Sequence, residues 1–274
     1  MYKVGLISLG CAKNLVDSEM ILGALANSKF EIVNTIQDSD IIIVNTCGFI
    51  EASKEESIEN ILDVCKYGKK VVVTGCLVER YLDELKASIP EVDLWIPIRE
   101  YSHFAELIEK MLEDKQEVES LNPFVRMLST PPWMAYLRIS EGCNNCCAYC
   151  AIPLIRGHFR SRPFDDVISE AKLLAKNGIK ELVLISQDTT RYGTDFKPQK
   201  SIVDLLQELV KIPEFKSIRL LYLYPDEITE NLIDFIAKTP VISPYFDIPF
   251  QHSSDSVLKG MLRRGTHESY QQLI

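Results

Sequence analysis

What most constrains the fold is a regular alternation of short β-branched runs with longer helical patterns. Apolar runs at Val4–Ser8, Asp40–Asn45, Val71–Thr74 and Val92–Ile96 are separated by helix-like segments at Leu15–Ala26, Ser53–Lys66 and Val78–Ser88. Strands returning after an intervening helix pair in parallel, with helices covering both faces of the sheet. The unbroken apolar run Ile41–Val44 fits a strand buried on both faces. Ser53 with Glu56 has the form of a capping box, which puts a helix start at Ser53. A helical segment at Phe104–Leu112 leads into the polar stretch Asp114–Ser120 and then to Pro131-Pro132. Paired prolines favour an extended connector, so the domain boundary belongs there.

The alternation restarts beyond the prolines. Strands are expected at Ala135–Ile139, Glu181–Ser186, Ser217–Leu223 and Tyr245–Pro249, and helices at Phe164–Lys176, Ser201–Lys211, Glu227–Lys238 and from Ser256. Successive β/α units form a barrel or part of one, with chemistry at the C-terminal ends of the strands. The expected class is therefore α/β: a Rossmann-like parallel-sheet domain over residues 1–126, then a (β/α) partial barrel over 133–274.

Composition narrows the function classes. Of 274 residues, 46% are hydrophobic and 25% charged, which suits a globular chain with a real core. The absence of any run of eighteen apolar residues argues against a membrane span, and the N-terminus does not read as a signal peptide, so a cytoplasmic protein without membrane contact is expected. The net charge of −9 argues against a general basic surface for nucleic acid, while a basic protein partner would suit it. Eight cysteines in such a chain point to metal or redox chemistry rather than disulfides.

Cys143, Cys147 and Cys150 form a C-x3-C-x2-C pattern immediately after an expected strand. Three thiolates on one loop can hold three corners of a [4Fe–4S] cube and leave the fourth iron open for a chelating small molecule. A zinc knuckle would need a fourth ligand, and no partner with C-x2-C spacing follows. Cys146 interrupts the pattern and is read as a non-ligand. With Tyr149 just before the last cysteine, the motif resembles the signature of the radical S-adenosylmethionine superfamily. In that family the cofactor's amino and carboxylate groups occupy the open iron, and an electron from the reduced cluster cleaves a carbon–sulfur bond to give a 5′-deoxyadenosyl radical.

Cys11, Cys47 and Cys76 share no local motif, yet each ends an expected strand and each is flanked by glycine: Gly10, Gly48 and Gly75. Parallel strands bring these ends to one sheet edge, where open α/β folds bind ligands. Glycine there allows a bulky inorganic group to approach the backbone. Cys65, inside a helical pattern, is assigned no role.

With both triads in view, the chain resembles the methylthiotransferase family. The stretches that carry the likeness are Gly10–Asn14, Asn45–Ile50, Thr74–Leu77 and Glu141–Pro163. The resemblance implies a second [4Fe–4S] cluster on Cys11, Cys47 and Cys76 that carries the sulfur to be inserted, and two S-adenosylmethionine molecules per turnover. Ser186–Gly193, Tyr222–Asp226 and Asp247–His252 are similar to the branch that modifies the β-carbon of an aspartate on a small-subunit ribosomal protein. The alternative is the branch that modifies isopentenyladenosine in tRNA. An electron donor such as a flavodoxin or ferredoxin is a further expected partner. Family members continue beyond residue 274 into a small C-terminal β-barrel (TRAM), so the chain is expected to be truncated with that domain absent.

Further candidates follow from position. Gln187 and Asp188 end a barrel strand, as catalytic contacts to cofactor or substrate or as a turn and cap. Arg160 and Arg162 follow the cysteine loop, where their charge could meet the cofactor carboxylate or the substrate aspartate, or simply face solvent. Gln251 and His252 end another strand, either on a cofactor-binding rim or as structural residues. Superfamily analogy puts Tyr149 beside the adenine. Trp95 and Trp133 are read as packing.

Overall fold

The structure, a computed structural model, describes residues 1–28, 30–112 and 125–274. The Asp114–Ser120 part of the expected connector lies outside the described residues. The chain divides into two compact units, Met1–Ser129 and Thr130–Ile274.

The first unit holds strands β1 (Tyr2–Ser8), β2 (Phe30–Ile32), β3 (Ile41–Thr46), β4 (Lys70–Gly75) and β5 (Leu94–Ile96). They form one sheet in the order β2-β1-β3-β4-β5, parallel throughout. Helices α1 (Ala12–Ala26), α2 (Glu51–Cys65), α3 (Cys76–Ser88) and α4 (Phe104–Met111) connect or follow them. Alternate residues of the central strands enter opposite cores. Ile42, Val44, Val71 and Val73 pack with Ile61 and Val64 of α2 and Leu77 and Leu85 of α3. Ile41, Ile43 and Val72 pack with Ile21 and Leu25 of α1 and Phe104 and Ile108 of α4. Ile41–Val44 are all fully buried, which explains their continuous apolar run. Each such side chain contributes about 1.5–3 kcal/mol when taken from water.

Two details differ from expectation. The three-residue edge strand β2 was not anticipated, since Phe-Glu-Ile is too short to show a period. The Ser53 capping box does not form. Helix α2 starts at Glu51 after Ile50, whose extended backbone (φ −113°, ψ 162°) carries no side-chain cap, so Ser53 already lies within the first turn.

The second unit contains β6 (Met134–Arg138), β7 (Ser140–Glu141), α5 (Ile152–Arg156), β8 (Arg160–Ser161), α6 (Phe164–Lys176), β9 (Glu181–Ile185) and α7 (Ile202–Leu209). It continues with β10 (Ser217–Leu220), α8 (Glu230–Lys238), β11 (Ile242–Phe246), α9 (Asp255–Gly260) and α10 (His267–Leu273). Strands β6, β9, β10 and β11 lie side by side in chain order and run parallel, the arrangement of a partial (β/α) barrel. The last strand begins three residues before its expected start, at Ile242 rather than Tyr245. The short antiparallel pair β7–β8 was also not anticipated; it joins the two sides of the cysteine loop at Glu141 and Arg160. Helix α7 opens with a true capping box between Ser201 and Asp204.

Candidate cluster sites

In the first unit the strand order turns back between β1 and β3, the switch point at which open α/β sheets bind ligands. Cys11 is the N-cap of α1, just after β1, and Cys47 directly follows β3. Cys76 is the first residue of α3, with Gly75 at its N-cap. All three expected cysteines thus stand at one sheet edge, where helices present the positive ends of their dipoles to an anionic group.

Asn14 ties these loops together. Its Nδ2 donates to the Thr46 carbonyl at 2.8 Å and the Leu9 carbonyl at 3.1 Å, and its Oδ1 lies 3.3 Å from Cys76 Sγ. Asn45 Nδ2 in turn donates to the Asn14 carbonyl (2.8 Å) and to Ser18 Oγ (2.9 Å). Ser57 of α2 bonds both backbone ends of Cys47. The glycines are sterically required. A Cβ on Gly10 (φ +92°) would stand 2.8 Å from Cys47 Cβ, and one on Gly75 (φ +100°) 2.4 Å from the Thr46 carbonyl.

In the second unit the cysteine loop leaves β7 at Gly142 (φ +74°), where a Cβ would lie 2.2 Å from the His158 carbonyl. Cys143 N–H donates to Gly157 (3.2 Å), closing the loop. Its two asparagines fasten it. Asn144 Oδ1 accepts from Phe159 N–H at 3.0 Å, and Asn145 Nδ2 donates to Asp188 Oδ2 at 2.8 Å. Ala148 N–H reaches the Met261 carbonyl at 3.0 Å. Backbone N–H groups of Asn145 and Ile152 point at the sulfurs of Cys143 (3.4 Å) and Cys150 (3.5 Å). Burial pushes both of those thiols up, and the three sulfurs of Cys143, Cys147 and Cys150 lie within electrostatic reach of one another. Cys146 is exposed and in the left-handed region (φ +52°), and it too lies within electrostatic reach of Cys150.

Among the described residues no three His, Cys, Asp or Glu side chains are drawn together tightly enough for a single metal ion. A cube spreads its ligands over three corners, so this spacing does not conflict with a cluster. Soft donors in threes, N–H groups aimed at sulfur and glycine cradles all fit such a group.

The other candidates fall into distinct places. Asp188 is fully buried; its carboxylate accepts from Asn145 and from Thr190 Oγ1 (2.5 Å), with Arg191 at 3.7 Å. Burial pushes its carboxyl above the usual range against those hydrogen bonds. Its visible task is to hold the cysteine loop. Gln187 Nε2 donates to Glu141 at 3.1 Å, beside Arg138 and Arg156. Arg162 bonds Glu170 (2.6 Å) and the Arg138 carbonyl (2.7 Å), so its charge is engaged within the scaffold. Arg160, Tyr149, Gln251 and His252 are exposed. Of the tryptophans, Trp95 is packed, while Trp133 is 58% exposed, so only one fills the expected role.

Residues that the sequence reading missed complete the surroundings of Cys147. Tyr224 OH and Arg263 Nη1 each stand 3.9 Å from its sulfur, and Arg264 bonds Asn145 Oδ1 (3.0 Å) and Glu227 (2.8 Å). They come from loops 77 and 116 residues away; Tyr224 lies in the Tyr222–Asp226 stretch that carries the family likeness, while no local pattern marks the two arginines.

Comparison with known proteins bears on the family and the fold. Residues 3–97 match the model described as Uncharacterized protein family UPF0004, and residues 137–274 that of the Radical SAM superfamily. The chain is 50% identical over 263 residues to the Ribosomal protein uS12 methylthiotransferase RimO of Aquifex aeolicus (strain VF5), covering 96% of this chain and 59% of that protein. It is 48% identical over 281 residues to the protein of the same name from Clostridioides difficile (strain 630), covering 98% and 63%. The chain therefore spans about three-fifths of these curated relatives. Among solved structures, the radical S-adenosylmethionine methyltransferase TsrM from Kitasatospora setae superposes with a TM-score of 0.69 at 14% identity, covering 100% of this chain and 65% of that one. The cobalamin-dependent enzyme OxsB gives 0.63 at 13% identity, covering 98% and 46%. At such identities the two structures speak for the fold alone. Half of the chain, residues 137–274 with the C-x3-C-x2-C loop among them, matches one family model, and the chain belongs to the radical SAM superfamily.

Proposed function

We propose that the chain is the two-cluster part of a methylthiotransferase acting on an aspartate β-carbon of ribosomal protein uS12. The observation that carries this reading is the presence, in a chain about half identical to RimO proteins, of two cysteine triads at two sheet edges. Cys143, Cys147 and Cys150 would hold one [4Fe–4S] cluster with an open corner for S-adenosylmethionine, and Cys11, Cys47 and Cys76 a second. When bound, these groups supply one-electron cleavage chemistry able to attack an unactivated C–H bond, and the sulfur to be placed there.

The protein's own residues do the positioning. Asn144, Asn145 and Asp188 hold the cysteine loop on the barrel rim, and Gly142 lets it turn. Asp188 and Arg162 act through other residues, as tethers. Arg160 and Tyr149 are open to a substrate or cofactor arriving at the rim, as are Gln251 and His252. The working setting is the cytoplasm, with an electron donor such as a flavodoxin or ferredoxin; no helix among the described residues is long and apolar enough to cross a membrane.

Anaerobic reconstitution tests the cluster assignment. About eight irons per chain are expected, falling to about four in a Cys143→Ala/Cys147→Ala/Cys150→Ala variant. Incubating the full-length protein with ribosomes and, separately, with unmodified tRNA tests the substrate. A mass increase confined to uS12 is the expected result, and modification of tRNA alone would overturn it.

A further inference from the structure

The guanidinium of Arg263 is buried, with the residue 7% exposed. Nη2 donates to the Pro249 carbonyl at 2.7 Å, Nη1 lies 3.9 Å from Cys147 Sγ, and the group stacks over the Tyr224 ring at 4.1 Å. Nε is enclosed without a hydrogen-bond partner. Among the described residues no carboxylate stands within ion-pair distance of it. The acids of the same loop are otherwise placed: Glu227 pairs with Arg191 (2.9 Å) and Arg264 (2.8 Å), and Asp226 acts on Arg263 only at longer range. A desolvated cation needs an anion nearby. Asp226 is a more distant carboxylate, and the anionic groups within hydrogen-bond reach of Arg263 are the thiolates of the cysteine loop, Cys147 first.

We propose that Arg263 is a positioning and charge-compensating residue for the cluster held by Cys143, Cys147 and Cys150, and that it makes that cluster easier to reduce. The inference rests on the cluster reading given above. A fixed positive charge and an N–H directed at a ligand sulfur both favour the state with one more electron. Tyr224 holds the charge in place by offering its ring face. Arg264, one residue on, is paired with Glu227 and fastens Asn145 instead, so the adjacent arginines have separate tasks.

The test uses the full chain with Cys11→Ala/Cys47→Ala/Cys76→Ala, so that one cluster remains, and follows its reduction by anaerobic spectroelectrochemistry with electron paramagnetic resonance. Arg263→Gln, which removes the charge, should disfavour reduction by at least about tenfold, 59 mV for a one-electron couple. Arg263→Lys, which keeps the charge but not the fork, should stay within about threefold of the parent. Equal shifts in the two variants would overturn the proposal, as would an Arg263→Gln protein with full iron and an unmoved potential. If Arg263→Gln takes up no iron, Arg263→Lys decides: parent-like iron and potential support the proposal, and loss in both reduces Arg263 to a structural clamp. A parent that binds no iron at all sinks the cluster reading itself, and this inference with it.

Discussion

Asn14 gives the sharpest handle on the first candidate cluster site. It is fully buried, and one side chain bonds the loops that carry two of the three cysteines while touching the third. Asn14→Ala removes the donors to the Leu9 and Thr46 carbonyls. The Thr46 bond is buried and its carbonyl left without a donor costs about 1–3 kcal/mol, while water can replace the donor at the part-exposed Leu9 carbonyl, so the loss should be about 1–3 kcal/mol. Asn14→Asp keeps the shape but turns an oxygen toward both carbonyls, so it should lose at least as much. Urea unfolding of the iron-free, reduced chain measures the change. Iron content in the Cys143→Ala/Cys147→Ala/Cys150→Ala background measures the site directly, and both substitutions should lower it. An Asn14→Ala protein within about 0.5 kcal/mol of the parent, with its iron intact, would refute the claim that this residue organises the triad.

Two further outcomes are expected. Glu19 is completely buried and accepts from Arg126, from Ser129 N–H (2.8 Å) and from Ser129 Oγ (3.0 Å), holding the 125–129 segment against α1. Glu19→Ala removes the acceptor of these bonds and should cost at least about 1–3 kcal/mol, the loss expected from one buried donor left unmet, as read by urea unfolding; a Glu19→Ala protein as stable as the parent would contradict this. Hydrogen bonds from Ser201 hold the Asp204 carboxyl below its usual range. Because the folded value is the lower one, its contribution to stability is complete above the unfolded carboxylate pKa of about 3.9 and is lost as pH falls through the folded value. The stability gap between the parent and Asp204→Asn, measured by thermal unfolding, should therefore be constant near neutrality and narrow in acid; a pH-independent gap would contradict this.

Much of the architecture could be read along the chain because its determinants are local. Ile41–Val44 advertised a strand buried on both faces, and the C-x3-C-x2-C spacing marked a loop of three cysteines, since candidate ligands on one short loop need no tertiary information to be picked out. Short edge elements escaped: β2 and the β7–β8 pair are held by neighbouring strands rather than by propensity. Ser53 satisfied the rule for a capping box, yet the chain entered the helix at Glu51, two residues earlier.

The sequence by itself determined which residue types could bind iron and the periods that made two α/β sheets. Only the tertiary structure decided what those residues meet. It set the order β2-β1-β3-β4-β5, which carries Cys11, Cys47 and Cys76 to one edge, and it committed Asp188 and Arg162 to bonds within the scaffold. It also brought Arg263 beside Cys147 across 116 residues. Such contacts depend on loop closure and strand order, which couple distant positions through space, and no spacing along the chain encodes that distance.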